Sequence, residues 1–569
     1  MTFFQKRGTF LLALPVFAFL ILFLVAPLIL AVSSGFVHDG KPGFYWFGRV
    51  LSNPVRIREF LNAGWLAVIT TALCALVAIP MALFQGRTRF AGQNLLGSLV
   101  LLPLILPPFV GALAMRRLLA PYGTFNLVLD KLGVLDLQTQ LPPNWLGSGF
   151  AGVVILQVLH LFPIMYLNAR ASLANVDPAY IQAARNLGAG PLRTFFKITL
   201  PLMRPGLFAG GTIVFIWSFT DIGTPVMLEY DQLTAVTIFK ELARGNFSGW
   251  TYCLVFVMLA VSVCLYLSGK FIFGRGNDAE TSKASIAEET RKTGWAGTLV
   301  AWGLFGGVLV LAMLPHLGVI LIACADQWDI TILPASFTTS HLTHVFRSPA
   351  TYRSIFNSMK YAGVSTAIDV VAGCLIAWLV VRAKVFGKTA LDSLAVLPLA
   401  IPGIILAAGY VALTVKGSPF EAIGPTRNPF ILLVIAYSIR RLPFITRGVS
   451  AGLQQVPESL EDAARNLGAG RFTTAMRITV PLVLPSLIAA TVLTFSFAIL
   501  EVSDSLILAQ VQSDYPITKQ IYKLATSTGG TNATNEAAAL GVYGMLLLGS
   551  AMGISSLILG KRLGNVFRA

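Results

Sequence analysis

Apolar stretches of bilayer-spanning length alternate with short polar ones along almost the whole chain. About 20 apolar residues suffice for a helix to cross the hydrocarbon core. Such stretches fall near 9–33, 60–84, 95–118, 150–172, 205–228 and 250–273, and again near 295–323, 355–381, 391–413, 429–449, 485–509 and 537–560. The pattern predicts twelve transmembrane helices in two sets of six. Prolines interrupt the third and ninth stretches (Pro103, Pro107 and Pro108; Pro398 and Pro402), so those two are expected to be broken.

The polar segments repeat as well. Ala183-Ala-Arg-Asn-Leu-Gly-Ala-Gly190 recurs letter for letter as Ala463 to Gly470, and the exits Ile198-Thr-Leu-Pro201 and Ile478-Thr-Val-Pro481 nearly match. Leu102-Pro-Leu-Ile-Leu-Pro107 pairs with Leu397-Pro-Leu-Ala-Ile-Pro402, and Asp221-Ile-Gly-Thr with Glu501-Val-Ser-Asp. A self-similarity of this kind marks a duplicated unit. The halves are read as 1–273 and 295–569, joined by a polar linker at 274–294. An even number of spans per half keeps the repeats parallel, so both copies of the motif face the same side. The sequence offset between copies is larger before position 107 than after 160, which places an insertion at Pro121 to Gly149, read as an enlarged external loop.

Composition fixes the medium. Hydrophobic residues make up 55% of the 569 and charged residues 12%, with mean hydropathy +0.74. Soluble domains carry roughly 25% charged residues. The net charge of +17 does not point to nucleic acid, because the cations flank alternate spans: Lys6, Arg7, Arg87, Arg89, Lys270, Arg275, Arg382, Lys384, Lys388, Lys561 and Arg562. That is the positive-inside bias, and it puts both termini and the linker in the cytoplasm. The first stretch is read as an uncleaved helix, since its apolar run exceeds a signal core. Five scattered cysteines without a CxxC are read as packing residues.

Around the exact repeat, Asp177 suits an N-cap and Pro178 the first helical position. Tyr180, Ala184 and Leu187 share a face, and Gly188 can end the helix left-handed. The second copy offers Pro457, Leu460, Ala464, Leu467 and Gly468 in the same order. Two short capped helices that keep the same letters while the spans around them diverge read as one binding surface used twice.

This pattern resembles the EAA loop of binding-protein-dependent ABC importer permeases: Glu-Ala-Ala, a Gly four residues after the first Ala's neighbour, then Ile-x-Leu-Pro. Ala183, Ala184, Gly188, Ile198, Leu200 and Pro201 match, as do Ala463, Ala464, Gly468, Ile478 and Pro481; the leading Glu is replaced by Gln182 and Asp462, and one Leu by Val480. The resemblance covers almost the whole chain. It implies an all-α polytopic membrane protein of the type I importer permease kind, in the bacterial inner membrane, with no catalytic, cofactor or metal residues of its own. Its implied partners are two copies of a cytoplasmic ABC ATPase, which carry the ATP and Mg, and a periplasmic solute-binding protein. The implied coupling residues are Gln182, Ala183, Ala184, Arg185, Leu187 and Gly188, with Asp462, Ala463, Ala464, Arg465, Leu467 and Gly468. The fused form, and the runs Arg440-Arg-Leu-Pro443, Leu460 to Ala464 and Glu501 to Leu506, look most like ferric-iron-type permeases. Phosphonate, phosphorylated-sugar and thiamine importers are the related alternatives, and an ion-coupled secondary transporter is the alternative of another class.

Charges inside spans are costly and commonly functional. His160, Asp221, Arg440, Arg441, Glu501 and Asp504 are candidates for the solute path or for buried ion pairs, and Asp369 lies inside span eight. Carboxylates would suit a cation and arginines a phosphate-bearing anion. Two weaker motifs complete the survey. Gly35 to Pro42 resembles a phosphate loop but has Pro where Ser or Thr must ligate magnesium. His341-x-x-His344 has ligand spacing but no neighbouring acidic or cysteine residue in sequence.

Overall fold

The computed structural model describes residues 3–273 and 291–559, apart from 138, 140, 147, 148, 384, 528 and 529. Linker residues 274–290 and the cations Arg275, Lys384, Lys561 and Arg562 lie outside the described residues, as do the side chains of Lys6, Arg7 and Lys270.

The chain opens with α1 (Phe3–Leu20), a π turn (Ile21–Val25) and α2 (Ala26–Ser34), followed by the short α3 (Tyr45–Leu51) and α4 (Pro54–Arg87). Next come α5 (Gln93–Leu99), α6 (Pro108–Leu119), α7 (Thr124–Lys131), α8 (Phe150–Ala174) and α9 (Pro178–Asn186). Then α10 (Pro191–Thr194) runs through a π turn (Phe195–Thr199) into α11 (Leu200–Phe219), and α12 (Gly223–Met227), α13 (Thr234–Ala243) and α14 (Gly249–Phe273) follow. The series then recurs as α15 (Trp295–Ala323), α16 (Ser340–Arg347), α17 (Pro349–Val381), α18 (Lys388–Val396), α19 (Gly403–Leu413), α20 (Phe430–Gln455) and α21 (Glu458–Asn466). It closes with α22 (Arg471–Thr474), a π turn (Ala475–Thr479), α23 (Val480–Ile499), α24 (Ser503–Leu508), α25 (Ile517–Ala525) and α26 (Gly530–Leu559).

Among the described residues eight helices are long and apolar enough to span a bilayer, and two bent pairs raise the number to ten. α20 and α26 have spanning length too, at 26 and 30 residues, and complete the twelve expected positions. The bent pairs are α5–α6 and α18–α19, folded by 91° and 106° at the expected prolines. Each break carries a 3-10 turn, Leu102–Leu104 or Leu397–Leu399, because a proline supplies no N–H to continue the α ladder.

The expected spans 205–228 and 485–509 are displaced. Their helices begin near 191 and 472 and stop at Phe219 and Ile499. Pro201 and Pro481 lie inside these rods, just after π turns that re-space the hydrogen bonds around them. At the far end the Asp221 carboxylate accepts from Gly223 N at 3.0 Å, a local turn that competes with the helix and ends it.

Each bent pair is cupped by elements from the far end of the sequence. α6 packs between α15 and α26, and α19 between α2 and α14. The crossings are close. A Cβ at Gly409 would lie 2.6 Å from the Pro27 carbonyl oxygen, and one at Gly318 would lie 2.6 Å from the Ala114 Cβ. Tyr410 donates to the Phe23 carbonyl at 2.8 Å, at the π turn of the first rod. The loop between α6 and α8 is built around the buried Asn126, whose amide donates to Pro121 O (2.8 Å) and Pro143 O (2.7 Å). Three two-stranded ribbons are minor features; one pairs Thr88–Arg89 with Arg291–Lys292, tying the end of the linker to the end of α4.

Candidate functional site

The two repeated motifs fold alike. Asp177 caps α9 by accepting from Ala179 N at 2.8 Å. Gly188 has φ +79 and Gly468 φ +88, the left-handed conformation that glycine adopts without a Cβ clash. Both helices end in the same pair of bonds: Gly188 N to Arg185 O and Ala189 N to Ala184 O, matched by Gly468 N to Arg465 O and Ala469 N to Ala464 O, at 2.9–3.0 Å. Ala184 and Ala464 are buried against the body, whereas Leu187 and Leu467 are 88% and 89% exposed. The shared face expected for Tyr180, Ala184 and Leu187 is therefore divided: only Ala184 turns inward, and Tyr180 is 59% exposed. Arg465 pairs with Asp462 at 2.8 Å on the outer surface.

A half-open cavity of about 210 Å³ lies between the two sets of helices. His160, Asp221, Arg440, Arg441 and Glu501 all line it, and so do Pro107, Pro108, Pro402 and Gly403 at the helix breaks. The charges and the helix breaks are separate in sequence, and the fold brings them around one cavity. Arg440 Nη1 lies 2.6 Å from Glu501 Oε1 and 3.4 Å from Asp504 Oδ2, while Arg441 Nη2 meets Glu501 Oε2. Glu501 and Asp504 are buried, with side-chain exposures of 3% and 0%, and Arg440 is the most open member at 18%. Gly403 makes room for this cluster, because a Cβ there would lie 2.0 Å from Arg440 Nη1.

In the first copy the carboxylate meets neutral donors instead of guanidiniums. Asp221 accepts from Gln157 Nε2 at 3.1 Å and from Gly223 N at 3.0 Å. Gln157 Oε1 in turn accepts from Thr70 and Ser218. His160 Nδ1 lies 3.0 Å from Pro103 O, and a carbonyl can only accept, so that nitrogen carries the proton. Asp369 accepts from Ser438 Oγ at 2.5 Å, away from this wall.

Thr70, Gln157, Ser218 and Gly403 were missed. Gln157 was visible as a lone amide in an apolar run, but its counterpart in the other copy is an aromatic residue, Tyr437, and no amide or charge is repeated there to draw attention to it.

The weaker motifs take ordinary roles. Residues 35–42 form a hairpin in which Val37–His38 pairs with Lys41–Pro42. His344 Nδ1 lies 3.0 Å from Glu536 Oε1, an acidic neighbour supplied by the distant α26 and invisible in local sequence. Among the described residues no three His, Cys, Asp or Glu side chains gather to hold a metal.

A duplicated bundle of spanning helices, with a polar-walled cavity between the copies and two short helices that share one ending, is the architecture of a membrane transport permease. The family model for the binding-protein-dependent transport system inner membrane component matches residues 77–275 and again 369–565, and the chain belongs to that family. It is a permease subunit of an ABC importer in fused two-half form. The chain is 26% identical to the putative ferric transport system permease protein FbpB 1 of Haemophilus influenzae, over 80% of this chain and 71% of that protein. It is 27% identical to the ferric transport system permease protein FbpB of Actinobacillus pleuropneumoniae, over 80% of this chain but only 64% of that one. It is 24% identical to the probable ABC transporter permease protein y4fN of Sinorhizobium fredii over 98% and 97% of the two chains. A solved bacterial ABC transporter involved in alginate import superimposes with TM-score 0.37 at 20% identity, over 46% of this chain and 98% of that one.

Proposed function

We propose that this permease imports a ferric-iron-type cargo through the cavity between its halves, 1–273 and 295–569, joined by the linker 274–294. Two copies of a cytoplasmic ATPase bind α9 and α21, a periplasmic binding protein delivers the cargo, and both termini lie in the cytoplasm. ATP and Mg belong to the ATPase, and the permease performs no covalent chemistry. The ferric names of two relatives support the cargo class.

The observation that carries the coupling role is the pair of identically terminated helices presenting Leu187 and Leu467 almost fully to solvent. An exposed leucine at a rigid helix end costs solvation unless a partner covers it. The Gly188→Arg, Gly468→Arg double variant tests this. A non-glycine residue at these φ values strains the turn, and the long side chain blocks close approach. The variant is expected to insert normally, lose copurifying ATPase and stop transport. Normal ATPase binding and normal transport by the inserted double variant would refute the reading.

A further inference from the structure

The two copies furnish the cavity unequally. In the second, Glu501 and Asp504 face two guanidiniums, Arg440 and Arg441, and the charges balance. In the first, the positions matching the arginines are His160 and Leu161, and Asp221 stands where Glu501 stands. The donors that meet Asp221, Gln157 Nε2 and Gly223 N among them, are neutral, and it has no cationic partner among the described residues. Thr70 and Ser218 hold the Gln157 carbonyl, which leaves the amide nitrogen to orient the carboxylate. Ser496 lines the same cavity at 5% exposure, and its buried Oγ makes no hydrogen bond among the described residues.

We propose that Asp221 is the cargo contact within the membrane, and that it takes a hard, oxygen-preferring multivalent cation. This deepens the import function proposed above and rests on it. A carboxylate facing a cavity inside the membrane is stable as the anion only with a counter-charge. A cation supplies it directly and completes its oxygen shell with retained water. An oxyanion would meet an unpaired negative charge at Asp221, and on the other side only arginines already held by carboxylates. One carboxylate is also too few to trap the ion. A conduction site must bind strongly enough to admit its cargo and weakly enough to release it.

Terbium(III) alone serves as the probe, because it prefers oxygen ligands and emits when a nearby tryptophan is excited. Trp217 lines the same cavity. The permease–ATPase complex is placed in nanodiscs, and the Trp217→Phe variant defines the part of the emission that comes from the cavity. Asp221→Asn should weaken that signal's affinity at least tenfold. Leu161→Arg, which supplies the missing cation as the second copy does, should have the same effect while keeping the carboxylate. Unchanged terbium affinity in either assembled variant overturns the proposal. Titration of the wild-type complex with molybdate decides independently of variant folding: no saturable molybdate binding is expected, and a saturable site displaced by terbium overturns the cation assignment. Retention of the ATPase throughout separates the two readings, since a complex that holds its ATPase but ignores Asp221 leaves the importer intact and removes only the cation site.

Discussion

Arg441 and Arg440 share carboxylates but not surroundings. Arg441 is buried to 11% side-chain exposure and meets Glu501 alone, with its guanidinium 5.5 Å from the Phe497 ring centre. Breaking a buried pair costs about 3–5 kcal/mol, and without Arg441 the two carboxylates Glu501 and Asp504 are left to share Arg440, so part of that cost is expected. Arg441→Ala is therefore expected to cut the yield of folded protein, and adding Glu501→Gln should restore part of it, measured by size-exclusion recovery. Arg440→Lys keeps the charge but reaches Glu501 and Asp504 through a single ammonium. It should fold and transport more slowly than wild type. Gly403→Ala should do the same from the other side, because its Cβ cannot coexist with the present Arg440 position; wild-type flux in both variants would separate Arg440 from the path. At this scale the sequence revealed the charged positions, through their matching places in the two copies. It could not reveal which charges meet, because α20, α23 and α24 are joined only by folding. Nor could it mark Gly403, whose counterpart is Pro108 and whose value is empty space.

The elements that bear the repeated motif differ in how they are anchored. Arg382, at the end of α17, reaches Glu461 (3.2 Å) and Glu458 (3.3 Å) on α21 and donates to Leu453 O and Val456 O. Thr479 Oγ1 donates to the same Glu461 at 3.1 Å, so one carboxylate ties α21 to two spans. In the first copy Arg87 donates directly to Thr199 Oγ1 at 2.7 Å, and Ile181 replaces the carboxylate. Hydrogen bonds to charged groups contribute about 1.5–3 kcal/mol. Arg382→Ala should accelerate amide exchange across 458–466 by roughly 10- to 100-fold, since 1.4 kcal/mol is about a factor of ten. Arg87→Ala should change 178–186 much less; equal effects would mean the two helices are anchored alike. Helix identity and the proline breaks were legible here, because they depend on local chemistry. The early starts of the α11 and α23 rods were not, since a π turn placing proline inside a helix has no simple periodic signature.

Over the whole molecule, the parallel duplication and the twelve spanning positions were readable from apolar run lengths and repeated letters. The interlock was not, because apolar runs carry no record of which helix they will face. α2 closes over α19, and α15 over α6, so each half covers part of the other's bent pair. If the chain is severed within 274–294, each fragment alone should be recovered as aggregate, and the two coexpressed should copurify as a transporting pair. Gly409→Leu should weaken that pairing by driving a side chain into the Pro27 backbone. Independent, monodisperse recovery of either fragment would count against the interlock. The orientation inferred from the basic flanks is checked in the same preparation: a cysteine at Ser282 should resist an impermeant thiol reagent applied from the periplasm.

The crossing of α2 over α19 also imposes an order on biogenesis. The ribosome delivers Ala26–Ser34 to the membrane long before Gly403–Leu413 exists to receive it. Until then the first helix must wait in lipid with its Pro27 face uncovered, and the polypeptide cannot be proofread one half at a time. A nascent chain stalled in the second half should be a substrate for membrane proteases even though its first six spans are complete.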